Sequence, residues 1–305
     1  MSEHAFTFAG YKGAKSVHAA AVDKFGARLV EELGQQVSFE QMSDALAQGH
    51  KSGDLPGMVA NGSLDFCYIA TLRFADKVPQ CQLFDLPFIA EDRSNLFSRL
   101  DGALGDYFRA EIERETPHKV LGFWDNGLRH ITNRVRALET PADCEGLVIR
   151  TQISETIGDV FRSLGFTAEP MDIKLYRERL DDPDIHAQDN DLPTILNFGI
   201  HKHHPHVTLT GHILGVLVVI CSKAAYAAWS QEVRQAVDTA MADATEFQRA
   251  VAASRDAEAS AQLAADGALV AALSDEGRAR FRHAVTPVLE RHRSLFSDPV
   301  FKGLV

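Results

Sequence analysis

An α/β protein, in two lobes or in one large domain, is the fold class the sequence predicts, on three observations. Strand-like and helix-like apolar spacings alternate from residue 5 to Trp124, which implies a mainly parallel sheet with helices on both faces. The 305-residue length exceeds one small core and suits two lobes of about 150 residues each. Residues 224–266 contain no glycine and no proline and carry one apolar stripe through Tyr226, Trp229, Val233, Val237, Met241, Phe247 and Val251. As a single helix this stretch would be on the order of 65 Å long, beyond the roughly 40 Å diameter of such a lobe. A strut shared by two lobes and a pair of helices meeting near Ser254 both fit it.

In order, residues 5–10 are β-prone and open the first sheet. Residues 18–33 place Ala19, Val22, Phe25, Leu29 and Leu33 at helical spacing, ended by Gly34. Residues 37–42 alternate as a strand, 54–61 suit a short helix, and 64–70 suit a buried strand. A turn at Asp85-Leu86-Pro87-Phe88 precedes a helix over 92–115 with Phe97, Leu100, Leu104 and Phe108 on one face. Trp124-Asp125-Asn126-Gly127 reads as a turn. Then follow a strand at 147–150, a helix at 154–164 closed by Gly165, a helix at 171–180 and a strand at 185–188. Asp189 to Pro193 opens a short helix. Residues 206–210 and 214–221 read as two strands. After Gly267 come two helical pieces, 268–273 and 276–295.

Hydrophobic residues make up 45% and charged residues 24%, ordinary for a water-exposed globular chain. A net charge of −11 and a pI near 5.6 argue against a nucleic-acid partner, whose phosphates demand basic surface. Cys67, Cys81, Cys144 and Cys221 are scattered without zinc or redox spacing, so buried thiols or one bridge are the readings. No apolar run reaches the roughly 18 residues of a membrane span. The polar start Met1-Ser2-Glu3-His4 shows no signal peptide in this chain, leaving a cytoplasmic protein or a mature form with its leader removed.

The signatures G-x-S-x-G, H-E-x-x-H and G-x-G-x-x-G after a strand are missing. Residues 10–16 approach a phosphate loop but with the wrong spacing. His201, His203, His204, His206 and His212 form a tract that could ligate a metal, or serve as a solvated linker or polar rim. Arg150 ends the apolar run Leu147-Val148-Ile149, at the strand end where open α/β sheets bind ligands. Its guanidinium fork matches a carboxylate in two bonds, so Arg150 reads as an anion clamp or as a surface ion pair. Arg129 alone reads as a structural ion pair, Asn190 as a helix cap, and Trp124 as core or as a ring stacked on a ligand.

The run Gly127-Leu128-Arg129-His130-Ile131-Thr132-Asn133, followed by Thr140-Pro141-Ala142-Asp143 and Gly146-Leu147-Val148-Ile149-Arg150, resembles the solute-binding proteins of TRAP transporters, the DctP type. The resemblance continues upstream in Gly62-Ser63-Leu64-Asp65 and Asp85-Leu86-Pro87-Phe88. It continues downstream in Ser163-Leu164-Gly165, Pro170-Met171, Ala187-Gln188-Asp189-Asn190, Leu209-Thr210-Gly211-His212 and Trp229-Ser230. His186, Asp191 and the stretch Arg179-Leu180-Asp181-Asp182-Pro183 depart from the family pattern, which bears on the far end of the pocket.

The resemblance implies a two-lobed periplasmic binding protein fold (type II-like), each lobe a mixed sheet flanked by helices, with one long helix spanning both. One lobe would hold residues 1–124 and about 207–245, the other about 125–206 and 246–305. It implies a receptor, not an enzyme, with no cofactor, that takes an organic acid in an interlobe cleft and hands it to membrane permease subunits. Arg150 would pair the carboxylate, with Arg129 and Asn190 beside it. Trp124, Tyr68 and Thr71 would supply packing surface or hydroxyl contacts. The competing expectation is a metal-dependent enzyme built on the histidines of residues 201–212.

Overall fold

Phe6 and Phe8 point inward from the first strand, β1 (His4–Ala9), and begin the core of the N-terminal region. The computed structural model describes residues 4–90 and 93–304, so the expected helix start at Asp92 lies outside the described residues. Ser16 caps helix α1 (Val17–Leu33), its hydroxyl accepting from the Ala19 amide at 3.1 Å. The buried stripe Val22, Phe25 and Leu29 is the one the spacing predicts, and Gly34 ends it. β2 (Val37–Met42) pairs with β1 in parallel over its whole length. After α2 (Leu55–Ala60), the fully buried β3 (Phe66–Ala70) takes the other side of β1, also in parallel.

The helix expected over 92–115 is two, α3 (Arg93–Leu100) and α4 (Ala103–Glu115), broken at Asp101-Gly102. The Gly102 amide bonds back to the Arg99 carbonyl at 3.1 Å, a three-residue turn that closes α3 where glycine weakens the helix. The turn expected at 124–127 is absent. Those residues lie inside β4 (His118–Asn133), a strand of 16 residues. Gln248 removes the need for a turn, because its amide accepts from the Asp125 N–H at 2.8 Å and donates to the Asp125 carbonyl at 2.7 Å. Tertiary bonds thus satisfy the backbone at residues whose local chemistry favours a bend.

β5 (Val148–Thr151) leads through the Ser154 cap into α5 (Glu155–Ser163), which buries Ile157, Val160 and Phe161. β6 (Thr167–Pro170), not recognised in the sequence, pairs with β5 in parallel. The helix expected over 171–180 is the shorter α6 (Ile173–Glu178). β7 (Ala187–Asp191) runs parallel to β5 and antiparallel to β4. Asn190 is therefore in a strand, and Asp191, not Asn190, caps α7 (Leu192–Asn197).

Where two strands were expected, β8 (His206–Ser222) is one strand of 17 residues, passing through Gly211 at φ 54°. It pairs antiparallel with β3 through Leu217–Cys221. α8 (Lys223–Ala228) stops at Trp229-Ser230, and α9 (Gln231–Ala265) then runs 35 residues without a break. At 1.5 Å per residue it is about 52 Å long. No second helix begins at Ser254, whose hydroxyl donates to the Val251 carbonyl of its own helix at 2.9 Å. The expected helical piece at 268–273 is instead β9 (Leu269–Ala272), in parallel register with β8 from His206 to Leu209. So short a segment gains more from an open strand edge than from one helical turn. α10 (Asp275–His292) closes the fold.

Contacts group residues 1–78, 105–125 and 216–254 into one compact unit, and residues 79–104, 126–215 and 255–305 into a second. Within the first, the order is β2-β1-β3-β8, with parallel and antiparallel pairs, around the rings of Phe8, Phe25, Phe66 and Trp124. Within the second, the order is β4-β7-β5-β6, again mixed. Each unit is thus a mixed sheet flanked by helices, as the fold class requires. All four cysteines are buried.

Candidate functional site

Arg150 ends the interior of a strand whose neighbours on both sides are parallel, opposite Gln188 of β7 and Glu169 of β6. Its side chain is buried, at 3% exposure. Nε and Nη2 both donate to the Met171 carbonyl, at 2.9 and 2.6 Å, and the guanidinium carbon lies 5.3 Å from the centre of the Tyr176 ring. No carboxylate lies within salt-bridge distance of Arg150 among the described residues. Burial pulls its pKa down to about 10, against the charge of Asp189, so it stays protonated at neutral pH. The surface ion pair considered from sequence is not what forms. Arg150 is a buried cation held by a carbonyl and a ring.

Arg129, on β4, is the opposite case. Its Nε donates to Asp189 Oδ2 at 2.5 Å and its Nη2 to the Asp189 carbonyl at 2.6 Å, with both side chains buried. Burial alone would raise the Asp189 carboxyl, but the charge of Arg129 and the contacts with His212 and Arg129 hold it well below its usual range. His212 Nε2 sits 3.4 Å from the same oxygen, and its Nδ1 meets the Thr210 hydroxyl at 2.7 Å. Arg129 Nη1 reaches Asn190 Oδ1 at 3.5 Å. The Asn190 amide donates to Gln188 at 2.7 Å, and the Gln188 amide donates to the Thr132 hydroxyl at 2.8 Å. The second unit thus brings Arg129 and Asn190 into one hydrogen-bonded row, with Arg150 on the adjoining strand. Asp189 was missed as the counter-ion of Arg129. Its one sequence signal is an acid inside a strand that is otherwise uncharged until Asp191.

Asp85 lies in the same unit and accepts a hydrogen bond from the Ser154 hydroxyl at 2.7 Å, the hydroxyl that caps α5. Burial pushes Asp85 up to about 7 despite that bond and the charge of Arg129.

The other three candidates belong to the first unit. Trp124 has no exposed surface; its Nε1 donates to Thr245 at 2.9 Å, and its ring stacks on Phe8 at 6.0 Å between centroids. The Tyr68 ring is 5.7 Å from that of Trp124, and its hydroxyl accepts from the amides of Tyr11 and Lys12, each at 3.2 Å. Gly10 makes this possible, because a Cβ there would fall 2.4 Å from the Tyr68 hydroxyl. Thr71 donates to the Val216 carbonyl at 3.1 Å. All three are tied into the unit by partners of their own.

Much of the histidine tract is interior and not a solvated linker. His201, His204 and His212 are buried. His203 meets Asp181 at 2.7 Å, while His204 accepts from Arg134 at 3.2 Å and lies 3.5 Å from Thr132. Burial, reinforced by Arg134, drives His204 down to about 3, so it is neutral and built into the interior. Among the described residues, no three His, Cys, Asp or Glu side chains converge to hold a metal. The partners of His204, namely Arg134 and Thr132, lie some seventy residues earlier in the chain, which local composition cannot reveal.

A family model for bacterial extracellular solute-binding proteins, family 7 (DctP), matches residues 8–294. The 2,3-diketo-L-gulonate-binding periplasmic protein YiaO of Escherichia coli strain K12 is 30% identical over 238 residues, covering 78% of this chain and 71% of the relative. The C4-dicarboxylate-binding protein DctB of Bacillus subtilis strain 168 is 22% identical, covering 98% and 85%. In fold, the chain matches the sugar acid binding protein DctPAm of Advenella mimigardefordensis strain DPN7T, solved with galactonate, at a TM-score of 0.93 and 24% identity over 100% of this chain and 97% of the other. It also matches a TRAP periplasmic solute-binding protein of Sulfurospirillum deleyianum with bound succinate, at 0.93 and 21% identity over 100% and 99%. No helix among the described residues is long and apolar enough to cross a membrane. With a family model matched over nearly the whole chain and a relative 30% identical to it, the chain belongs to the bacterial extracellular solute-binding proteins of family 7, the DctP family.

Proposed function

We propose that this protein is a periplasmic receptor that captures a small organic acid by pairing its carboxylate with Arg150 and delivers it to TRAP permease subunits in the membrane. One observation carries the reading: Arg150 is a buried cation with no carboxylate partner among the described residues, in a chain from a solute-binding family. An isolated buried charge is costly, and a ligand carboxylate supplies its missing counter-ion through two parallel hydrogen bonds. Arg129, already neutralised by Asp189, serves as a fixed hydrogen-bond donor that orients Asn190 toward the acid. Trp124, Tyr68 and Thr71 have their polar atoms committed within the first unit and are given no ligand contact in this reading. The role is that of a receptor and not an enzyme, and it needs no cofactor. Sugar acids and C4-dicarboxylates, bound by the relatives named above, head the candidates.

A thermal-shift screen over galactonate, glucuronate, 2,3-diketogulonate, succinate and related acids tests this directly. An acid at 100 times its Kd adds about 2.7 kcal/mol of apparent stability, an easily measured rise in Tm. Silence across the panel, with no carboxylate shifting Tm, would count against the receptor reading.

A further inference from the structure

Arg150 does more than sit at a strand end; it is held in one orientation. A guanidinium has five N–H groups in a plane. Nε–H and the facing Nη2–H, which together make the side edge of that plane, both point at the Met171 carbonyl, at 2.9 and 2.6 Å. Met171 is fixed in turn, because its own amide donates to the Thr151 carbonyl of β5 at 3.0 Å, one residue beyond Arg150. The guanidinium sits over the Tyr176 ring, 5.3 Å from Cζ to the ring centre. Tyr176 is itself fully buried on α6, whose start is set by the Asp172 cap on the Lys174 amide at 2.9 Å. With the side edge used by the Met171 carbonyl and the Tyr176 ring packed against the group, the end-on edge formed by Nη1 and Nη2 is the one left for an anion.

We propose that Tyr176 and the Met171 carbonyl are the positioning groups of Arg150: the carbonyl fixes rotation in the guanidinium plane, the ring fixes tilt, and a carboxylate is thereby restricted to a two-bond approach on the Nη1/Nη2 edge. The orienting part stands on the ligand-free protein, whereas the carboxylate part rests on the receptor function proposed above. The phenol oxygen is a separate matter. It is buried without a hydrogen-bond partner, so the ring, and not the hydroxyl, is the working part of Tyr176. A lysine at 150 has no edge to orient, and an aliphatic residue at 176 leaves the guanidinium free to tilt.

The decisive comparison is Tyr176→Phe against Tyr176→Leu, with Tyr176→Met as the second aliphatic replacement should the leucine variant fold poorly. The first readout needs no ligand. In 15N–1H spectra, the Nε–H signal of Arg150, assigned by its loss in Arg150→Lys, should be protected from exchange in the wild type and in Tyr176→Phe. In Tyr176→Leu or Tyr176→Met it should move as the ring current disappears and exchange about tenfold faster. The second readout is the Kd for D-galactonate and succinate by calorimetry. Tyr176→Phe should stay within about threefold of wild type, while the aliphatic variants weaken binding about tenfold, the scale of a desolvated cation–π contact. An Arg150 signal that is the same in the leucine, methionine and wild-type proteins overturns the proposal, as does equal affinity of the phenylalanine and aliphatic variants. If the spectra behave as expected but neither acid binds wild type, the positioning of Arg150 stands and the choice of ligand is what fails.

Discussion

Two buried arginines with opposite partners make the residue-scale distinction. Arg129 has Asp189 as its counter-ion, whereas Arg150 has a carbonyl and a ring. Removing one member of a buried pair strands the other, at a cost of about 3–5 kcal/mol. Arg129→Met should therefore lower the unfolding free energy by that order, read from urea denaturation. Arg150→Met leaves no stranded carboxylate and should change stability by less than about 1 kcal/mol, or raise it, because a costly buried charge is gone. Equal losses for the two variants would erase the distinction. Arg150 ends an apolar run, a local pattern that is visible in the sequence. The sequence does not mark the role of Arg129, which depends on Asp189 sixty residues later and on the strand pairing that joins them.

At the scale of elements, apolar periodicity carried furthest where it was long. α1, α5 and the unbroken α9 follow from spacing and caps. The failures share a physical cause, which is long-range pairing overriding short local signals. Trp124 to Gly127 has the composition of a turn, yet Gln248 holds Asp125 in strand β4. Residues 269–272 are helix-prone, yet they pair with β8. Gln248→Ala should thus cost about 1–3 kcal/mol by removing both of its buried bonds to the Asp125 backbone, again measured by urea denaturation. A neutral result would mean that the strand does not need this support. Gly127, at φ 79°, has the Asp191 Cβ within 2.7 Å of where its own Cβ would be. Gly127→Ala is expected to destabilise by about 1–3 kcal/mol through backbone strain and crowding.

Across the whole molecule, burial of ionisable groups shapes the response to pH. Asp85 is pushed up to about 7 by burial. Between about pH 4 and 7 it holds a proton in the folded chain that the unfolded chain has released, so its contribution to stability falls as pH rises. His130, pulled down to about 3 by burial, acts in the opposite sense, losing stability as pH falls below about 6.5. Asp85→Asn removes only the first effect. The variant's stability should therefore rise more steeply than that of wild type, by about 1.4 kcal/mol per pH unit between pH 4 and 7. Parallel curves would show that Asp85 titrates normally. The two-unit organisation and the acidic net charge were within reach of length and composition, but the neutral, buried histidines were not, because their partners are distant in sequence. Capture of a carboxylate by Arg150 is tested most directly by calorimetric titration of wild type and Arg150→Met with the tightest acid from the screen. Arg150 capture predicts binding to wild type and a loss of at least about 100-fold in the folded variant, the scale of a charge-assisted buried pair. A variant that binds the acid with wild-type affinity would contradict it.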